Sequence, residues 1–486
     1  MFHINISSVK MIGKGKMALR SLAVLLLVQN LSSCSKMLDV DVPKNMRESE
    51  TVFNSNTTAN AAVNGLYSLM YSGTNNIFNG QLSQLTGMSA DEFIYSASRD
   101  SYDQFTANTL PTLNNSDNVA LWTQPYTFIY RANAIIEGLS SSSSQVSDSL
   151  KKQYTAEARF IRAFCHFYLT NMFGKVPLIT TTDVTVTALQ PRASIDTVYG
   201  KIIEDLLYAE NTLAKDYRYS PTSGDRTRVN KWAAAALLSR VYLYRQQWDL
   251  AAKQASLVID SAGLYTLADI STSSPFYKNS TEAIWQYYTS PTNIYGTNEA
   301  TIFRPTSATV AYYPLRDTLL NSFEASDKRK ANWTLSFTPS GSSVSYRVPL
   351  KYKNVASVSY TGSILESYTL LRLSEQYLIR AEALAHSSTN LTQAISDLNK
   401  VHNRAGLGTI TPGDATSLLT AIAKERQLEL FAEMGHRWFD LKRTNTADAL
   451  LKVLKPATWK STAVLYPVPE EAILSNYNLL PQNSGY

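Results

Sequence analysis

The side chains best spaced for chemistry lie near the carboxyl end, in Glu425-Arg426-Gln427-Leu428-Glu429-Leu430-Phe431-Ala432-Glu433-Met434-Gly435-His436-Arg437-Trp438-Phe439-Asp440. Glu425, Glu429 and Glu433 recur at i, i+4 and i+8, which places three carboxylates on one helical face with His436 just beyond, as in a carboxylate metal site. Arg426, Arg437, Lys442 and Arg443 supply matching cations, Gly435 reads as a helix C-cap, and Trp438-Phe439 can fold back onto a core. Charge-paired structure is the stronger reading, and no metal is expected. Other catalytic spacings are missing: there is no His-Glu-x-x-His, no Gly-x-Ser-x-Gly and no phosphate loop ending in Gly-Lys-Ser/Thr. His3, His166, His386, His402 and His436 are scattered. Neither a catalytic residue nor a cofactor is expected.

The two cysteines have different prospects. Cys165 sits in the helical pattern Phe160-Ile161-Arg162-Ala163-Phe164-Cys165-His166-Phe167-Tyr168-Leu169 and reads as a buried apolar side chain. Cys34 follows Lys14, Lys16, Arg20, an apolar run from Leu22 to Val28, and Leu31-Ser32-Ser33. That order of basic, apolar and small residues is a secretory signal, and the run is far short of the roughly 20 residues a membrane-crossing helix needs. Leu-Ser-Ser-Cys also resembles a lipoprotein cleavage box, which makes residues 1–33 a lipoprotein signal peptide, Cys34 the lipidation site and residues 34–48 an extended tether.

The net charge is +6, but Lys10, Lys14, Lys16 and Arg20 all fall before Cys34, and the remainder carries only +2. With no basic run beyond Asp327-Lys328-Arg329-Lys330, nucleic acid is not an expected partner. The aromatic excess is tyrosine, 29 against 16 Phe and 7 Trp, which suits contact surfaces where one end of the ring stays wet.

The elements that must carry these residues are mostly helical. Periodicity predicts helices over 58–70, 121–139, 147–168, 195–213, 230–245, 248–261, 373–386, 391–404 and 417–434, with strand-like alternation only at 283–288 and 343–348. Residues 71–120, rich in Asn, Ser, Thr, Gly and Tyr, read as a long ordered loop region of functional interest. Leu238, Tyr242, Ala251, Ala255 and Val258 are spaced as in a tetratricopeptide helix pair, and 377–385 with Ala394, Leu398 and Val401 form a looser second one. Trp122, Trp232, Trp248 and Trp438 are assigned to the core.

The carboxyl-terminal stretch, Lys424-Glu425-Arg426 through Gly435-His436-Arg437-Trp438-Phe439-Asp440-Leu441-Lys442-Arg443, resembles a motif of the SusD/RagB family of Bacteroidota surface lipoproteins. Further blocks agree in order: Ala156-Glu157-Ala158-Arg159-Phe160-Ile161-Arg162-Ala163, Phe173-Gly174-Lys175-Val176-Pro177-Leu178, Leu371-Arg372-Leu373-Ser374-Glu375, Arg380-Ala381-Glu382-Ala383, Tyr466-Pro467-Val468-Pro469 and Asn483-Ser484-Gly485-Tyr486. The resemblance implies a mostly α, tetratricopeptide-like helical-hairpin scaffold with an irregular loop-rich region and minor β. It implies a single domain over 49–486, with an N-terminal part to about 270 and a C-terminal part from about 271. It further implies a lipid-anchored protein on the outer membrane, facing the cell exterior, that captures an oligosaccharide or polysaccharide and closes as a lid on a SusC-like TonB-dependent transporter.

A glycan site needs exposed aromatic rings for the C–H face of a sugar and polar side chains for its hydroxyls. Two loop regions supply them: Tyr95, Arg99, Tyr102 and Asp103 in the first, and Tyr288, Asn293, Tyr295, Arg304, Tyr312 and Tyr313 in the second. The same residue types suit a peptide, so a RagB-like peptide binder is the alternative, and a lipid-anchored tetratricopeptide adaptor or a surface hydrolase are the rivals of other classes.

Overall fold

The computed structural model describes residues 51–73, 75–222, 224–261, 263–287, 296–305, 307–355 and 365–486. The signal segment 1–33, Cys34 and the tether 34–48 lie outside the described residues.

The helices begin where short polar side chains can satisfy the first free backbone N–H groups. Helix α1 (Asn56–Tyr71) is capped by Ser55, which accepts from the Thr58 N–H at 3.2 Å. Helices α2 (Leu82–Ser89) and α3 (Asp100–Ala107) follow, and α4 (Ser116–Ser140) starts at Asn115, which accepts from the Asn118 N–H at 2.8 Å. Helix α5 (Asp148–Phe173) stops at Gly174, whose φ of 74° a side chain disfavours. Helices α6 (Ile195–Thr212), α7 (Lys231–Tyr244) and α8 (Trp248–Ile259) complete the first half. A long irregular excursion that includes α9 (Asn298–Phe303) leads to α10 (Leu373–Ser387), α11 (Leu391–Arg404), α12 (Ala415–Leu430) and α13 (His436–Arg443).

Consecutive helices pack on one another from α4 through α8, α8 then packs on α10, and α10 on both α11 and α12. This is the array of antiparallel hairpins that the spacing predicts. In α7 and α8, Leu238, Tyr242, Ala251, Ala255 and Val258 are all buried, and small Ala233 to Ala236 let the neighbouring helices approach closely. Ala381, Ala385, Ala394, Leu398 and Val401 of the second pair join Leu418 and Ile422 of α12 in a small core of their own. The main apolar core runs from Phe53 to Leu479.

The excursion between α8 and α10 is held by short strands. β1 (Ala283–Gln286) pairs antiparallel with β4 (Thr369–Arg372), and β2 (Thr334–Phe337) with β3 (Tyr346–Pro349), in register Thr334 to Pro349. Trp285 of β1 is fully buried, edge-on to Tyr67 of α1 and to Phe160 and Phe164 of α5, and so it fastens the excursion to the array.

Three expectations are corrected here. Residues 71–120 are not a loop region, because they hold α2, α3 and a tight turn at Ile77–Gln81. All eight residues of α2 are buried, so it carries no amphipathic period to read. Trp122 and Trp438 are buried, but Trp232 and Trp248 are only half-buried, while Trp285 and Trp333 fill the core. Gly435 is left-handed with φ 75°, yet it precedes α13 and does not cap α12, which ends five residues earlier at Leu430.

Candidate functional site

The glutamate row that begins on α12 is charge-paired throughout. The chain leaves the helix after Leu430 and passes through Ala432, Met434 and Gly435 with φ of 52°, 44° and 75°, so Glu433 does not continue the helical face. Arg329, fully buried, donates to Glu425 at 2.6 Å and to Glu429 at 3.2 Å. Arg372 donates to Glu282 at 2.9 Å, to Glu433 at 2.8 Å and to Glu429. Arg404 bridges Glu282 at 2.6 Å and Glu429, Lys351 reaches Glu433, and His402 Nδ1 lies 2.8 Å from Glu425. Burial alone would raise the Glu429 carboxyl, but Arg404, Arg372 and Arg329 hold it well below the usual range. Charge pairing is therefore correct, but the cations come from the excursion and α11. Arg426 pairs instead with Asp440 at 2.8 Å, Arg437 with Asp91 at 2.7 Å and Arg443 with Asp440 and Glu382, while Lys442 donates to the Asn171 carbonyl. Among the described residues no group of three or more His, Cys, Asp or Glu is arranged to hold a metal.

Cys165 is buried and unpaired, and its thiol is pushed well up by burial. His166 beside it is pushed down to about 3 by burial, with its Nδ1 3.0 Å from the Arg162 carbonyl, so it is neutral packing.

The two tyrosine regions, by contrast, meet. Residues 92–96 run antiparallel to 312–316: the Ile94 N–H donates to the Pro314 carbonyl at 3.2 Å, Ser96 to Tyr312 at 3.0 Å and Arg316 to Glu92 at 2.8 Å. That pairing stacks the Tyr95 and Tyr312 rings, centroids 6.0 Å apart and planes within 16°. Both are half-buried. Beneath them Tyr102 meets Tyr95 edge-on at 5.0 Å, and Tyr313 lies 5.4 Å from Tyr95 and 5.9 Å from Phe93. Tyr102 and Tyr313 are buried and back the outer pair of rings.

Polar groups hold the rim. The Arg99 guanidinium stacks 3.8 Å over the Tyr102 ring and donates to Asp117 at 3.0 Å, and Ser101 and Gln81 donate to the same carboxylate at 2.6 and 2.9 Å. Arg99 remains the exposed member of that ion pair. Asp103, on the first turn of α3, is exposed. Arg304 is exposed but donates to the Lys353 carbonyl at 2.6 Å and, among the described residues, has no hydrogen bond or ring contact to the candidate tyrosines. Tyr288, Asn293 and Tyr295 lie outside the described residues. Gln84, which donates to the Tyr313 hydroxyl, and Asp117, which fixes Arg99, were not legible as site residues, because each acts across a gap that only the fold closes.

The Tyr95 hydroxyl is raised by burial and by Tyr312, so it stays protonated, and Arg99 is balanced by Asp117. The surface thus offers near-parallel rings, hydroxyls, a guanidinium balanced by Asp117 and the exposed carboxylate of Asp103, which is chemistry for a hydroxyl-rich or amide-rich ligand. Clefts of about 670 and 470 Å³ open elsewhere, along α4.

Comparison with known proteins gives a consistent picture. Residues 36–243 match a family model described as "Starch-binding associating with outer membrane", and residues 321–486 match the model of the SusD family. A SusD-like protein of Formosa agariphila is 27% identical, over 95% of this chain and 98% of its own. A solved structure named as a laminarin-binding SusD-like protein is 26% identical with a TM-score of 0.71, covering 89% of this chain and 100% of that one. The SusD homolog of Bacteroides thetaiotaomicron shares the fold at 22% identity and a TM-score of 0.75, over 90% of this chain and 98% of its own. With two family models spanning most of its length and the helical-hairpin scaffold they imply, this chain belongs to the SusD/RagB family.

Proposed function

We propose that this protein is a lipid-anchored receptor of the outer membrane that captures an oligosaccharide or polysaccharide on the Tyr95–Tyr312 platform and closes as a lid on a SusC-like TonB-dependent transporter. Residues 1–33 direct export, Cys34 carries the lipid, and one domain from residue 49 onward does the binding. The observation that carries the reading is the convergence of two tyrosine segments, more than 200 residues apart in sequence, into one pair of parallel half-exposed rings. A pyranose presents a flat C–H face matched to such a pair, and Arg99 and Asp103 at the rim suit its hydroxyls. The exposed Asp103 carboxylate at the rim disfavours an anionic glycan, and the laminarin-binding relative makes laminarin the first ligand to try. No bond is broken in this role. Capture need only be modest, because tethering beside a transporter raises effective concentration without further contacts.

Native gels cast with laminarin and a panel of other polysaccharides, run beside calorimetry with mixed peptides, test the reading. Retardation by a glycan that is lost in Tyr95→Ala with Tyr312→Ala supports it. Heat with peptides and none with any glycan assigns the platform to peptide. Co-purification of a barrel transporter with the native lipoprotein tests the lid.

A further inference from the structure

Two neighbouring helices leave an apolar cleft at the point where the described chain begins. It holds about 470 Å³ and is lined by Val52, Phe53, Leu66 and Leu69, with Ala134 and Arg131 across from them on α4. Gly65 of α1 also lines it, and a Cβ added there would meet no atom within 4 Å, so the cleft is open along that edge. Val52 and Phe53, the second and third described residues, line it, so the leader joins the body at this cleft's wall. Those residues read Lys36-Met37-Leu38-Asp39-Val40-Asp41-Val42-Pro43, and in an extended chain Leu38, Val40 and Val42 share one side while Asp39 and Asp41 share the other. Arg131 is exposed and has no carboxylate partner among the described residues, so the cleft carries one free cation beside its apolar wall. The family model that covers this half begins at residue 36, so the matched pattern includes this segment.

We infer that residues Leu38–Val42 dock in this cleft, with Leu38, Val40 and Val42 against Leu66, Leu69 and Ala134, and with Asp39 or Asp41 on Arg131. The leader is then a strap and not a free spacer. Fully extended, Cys34 to Glu50 would reach about 55 Å, whereas a docked leader leaves only Cys34 to Met37, about 13 Å, between anchor and body. If Cys34 carries lipid, as proposed above, docking holds the α1–α4 face close to the membrane and sets the receptor's orientation. The docking itself does not depend on that reading.

The test uses the chain from residue 34 onward, made soluble and unlipidated by Cys34→Ser, so its outcome is separable from the question of anchoring. Amide hydrogen exchange of peptides covering 36–46 is compared with the same peptides free in solution. Slowing of at least tenfold is expected. Gly65→Trp, which fills the open edge, should return these amides to free-peptide rates, and so should Asp39→Lys with Asp41→Lys, which alters only the leader and leaves the folded body intact if the tryptophan variant misfolds. Free-peptide rates in the parent chain would overturn the proposal. So would slow exchange that neither variant relieves, or protection that appears only with a concentration-dependent dimer, which would assign the cleft to a second copy.

Discussion

The ionic cluster around Glu429 and the tyrosine platform around Tyr95 are built alike and end as opposites. Each gathers side chains from segments far apart, and each looks from its sequence like a place for chemistry. In the cluster, Arg329, Arg372 and Arg404 converge on Glu429, with Glu282, Glu425 and Glu433 completing the set, all buried save the edge of Arg404. Each of these side chains is ion-paired to another of the set, so the cluster clasps the excursion to α11 and α12. The platform has fewer charges but keeps ring faces and rim groups exposed. The difference teaches that a density of titratable groups marks structure when burial saturates it, and that a site is marked by groups left unsatisfied at the surface.

That contrast can be broken most forcefully at Glu429. Glu429→Ala leaves three buried guanidinium groups short of a partner, and the expected loss is about 3–5 kcal/mol in urea unfolding or failure to fold, with no direct role in ligand binding. A variant that unfolds at the parent midpoint would show that the clasp does not carry the fold.

Glu92 gives the next largest effect. It lies beside the platform strand, accepts from the Ala432 N–H at 3.1 Å, and is raised to about 8 chiefly by burial. The folded chain keeps a proton here that the unfolded chain releases near 4.5, so the contribution of this site is complete below that pH and is lost as pH rises through about 8. Relative to Glu92→Gln, the parent protein should therefore lose stability between pH 5 and 8, by about 2 kcal/mol or more, since each tenfold difference in proton affinity between the folded and unfolded chains corresponds to about 1.4 kcal/mol. Parallel stability profiles for the two proteins would contradict the raised carboxyl.

At the platform the expected changes move from stability to binding. Tyr95→Ala with Tyr312→Ala should weaken glycan retardation at least tenfold, about 1.4 kcal/mol, while costing the fold little because both rings are half-exposed. Equal retardation by the double variant would move the site elsewhere on the surface. The smallest effect belongs to Arg304→Ala: its side chain turns to Lys353, so both binding and stability should stay within about 0.5 kcal/mol of the parent, and a larger loss of binding would place it at the rim after all.

How much of this was legible follows from where periodicity survives. The helices from α4 to α8 and α10 to α12 could be read with ends within about five residues: most keep one wet face, while α7, buried from Ala233 to Leu243, was legible from its alanine run and the small-residue spacing it shares with α8. Helix α2 could not, since Leu82 to Ser89 are buried on every side and burial on every side has no period. The glutamate row misleads because helical spacing does not continue past Leu430, where left-handed Ala432 and Met434 turn the chain, held by Glu92 and by Ser83, whose hydroxyl accepts from the Met434 N–H at 2.8 Å. For the site, the tyrosine-rich segments were visible, but not which rings would face outward: Tyr102 and Tyr313 lie beneath, Tyr95 and Tyr312 above.

Helix period, small-residue spacing and the family blocks are local properties of the chain, and from them alone the sequence determined the scaffold and its class. Contacts between distant segments are set by packing and by the cost of burying unpaired charge, which no local window contains. The fold alone therefore decided that Arg329, Arg372 and Arg404 would neutralise Glu429, and that Ser96 would pair with Tyr312 and bring two separate tyrosine loops into one surface.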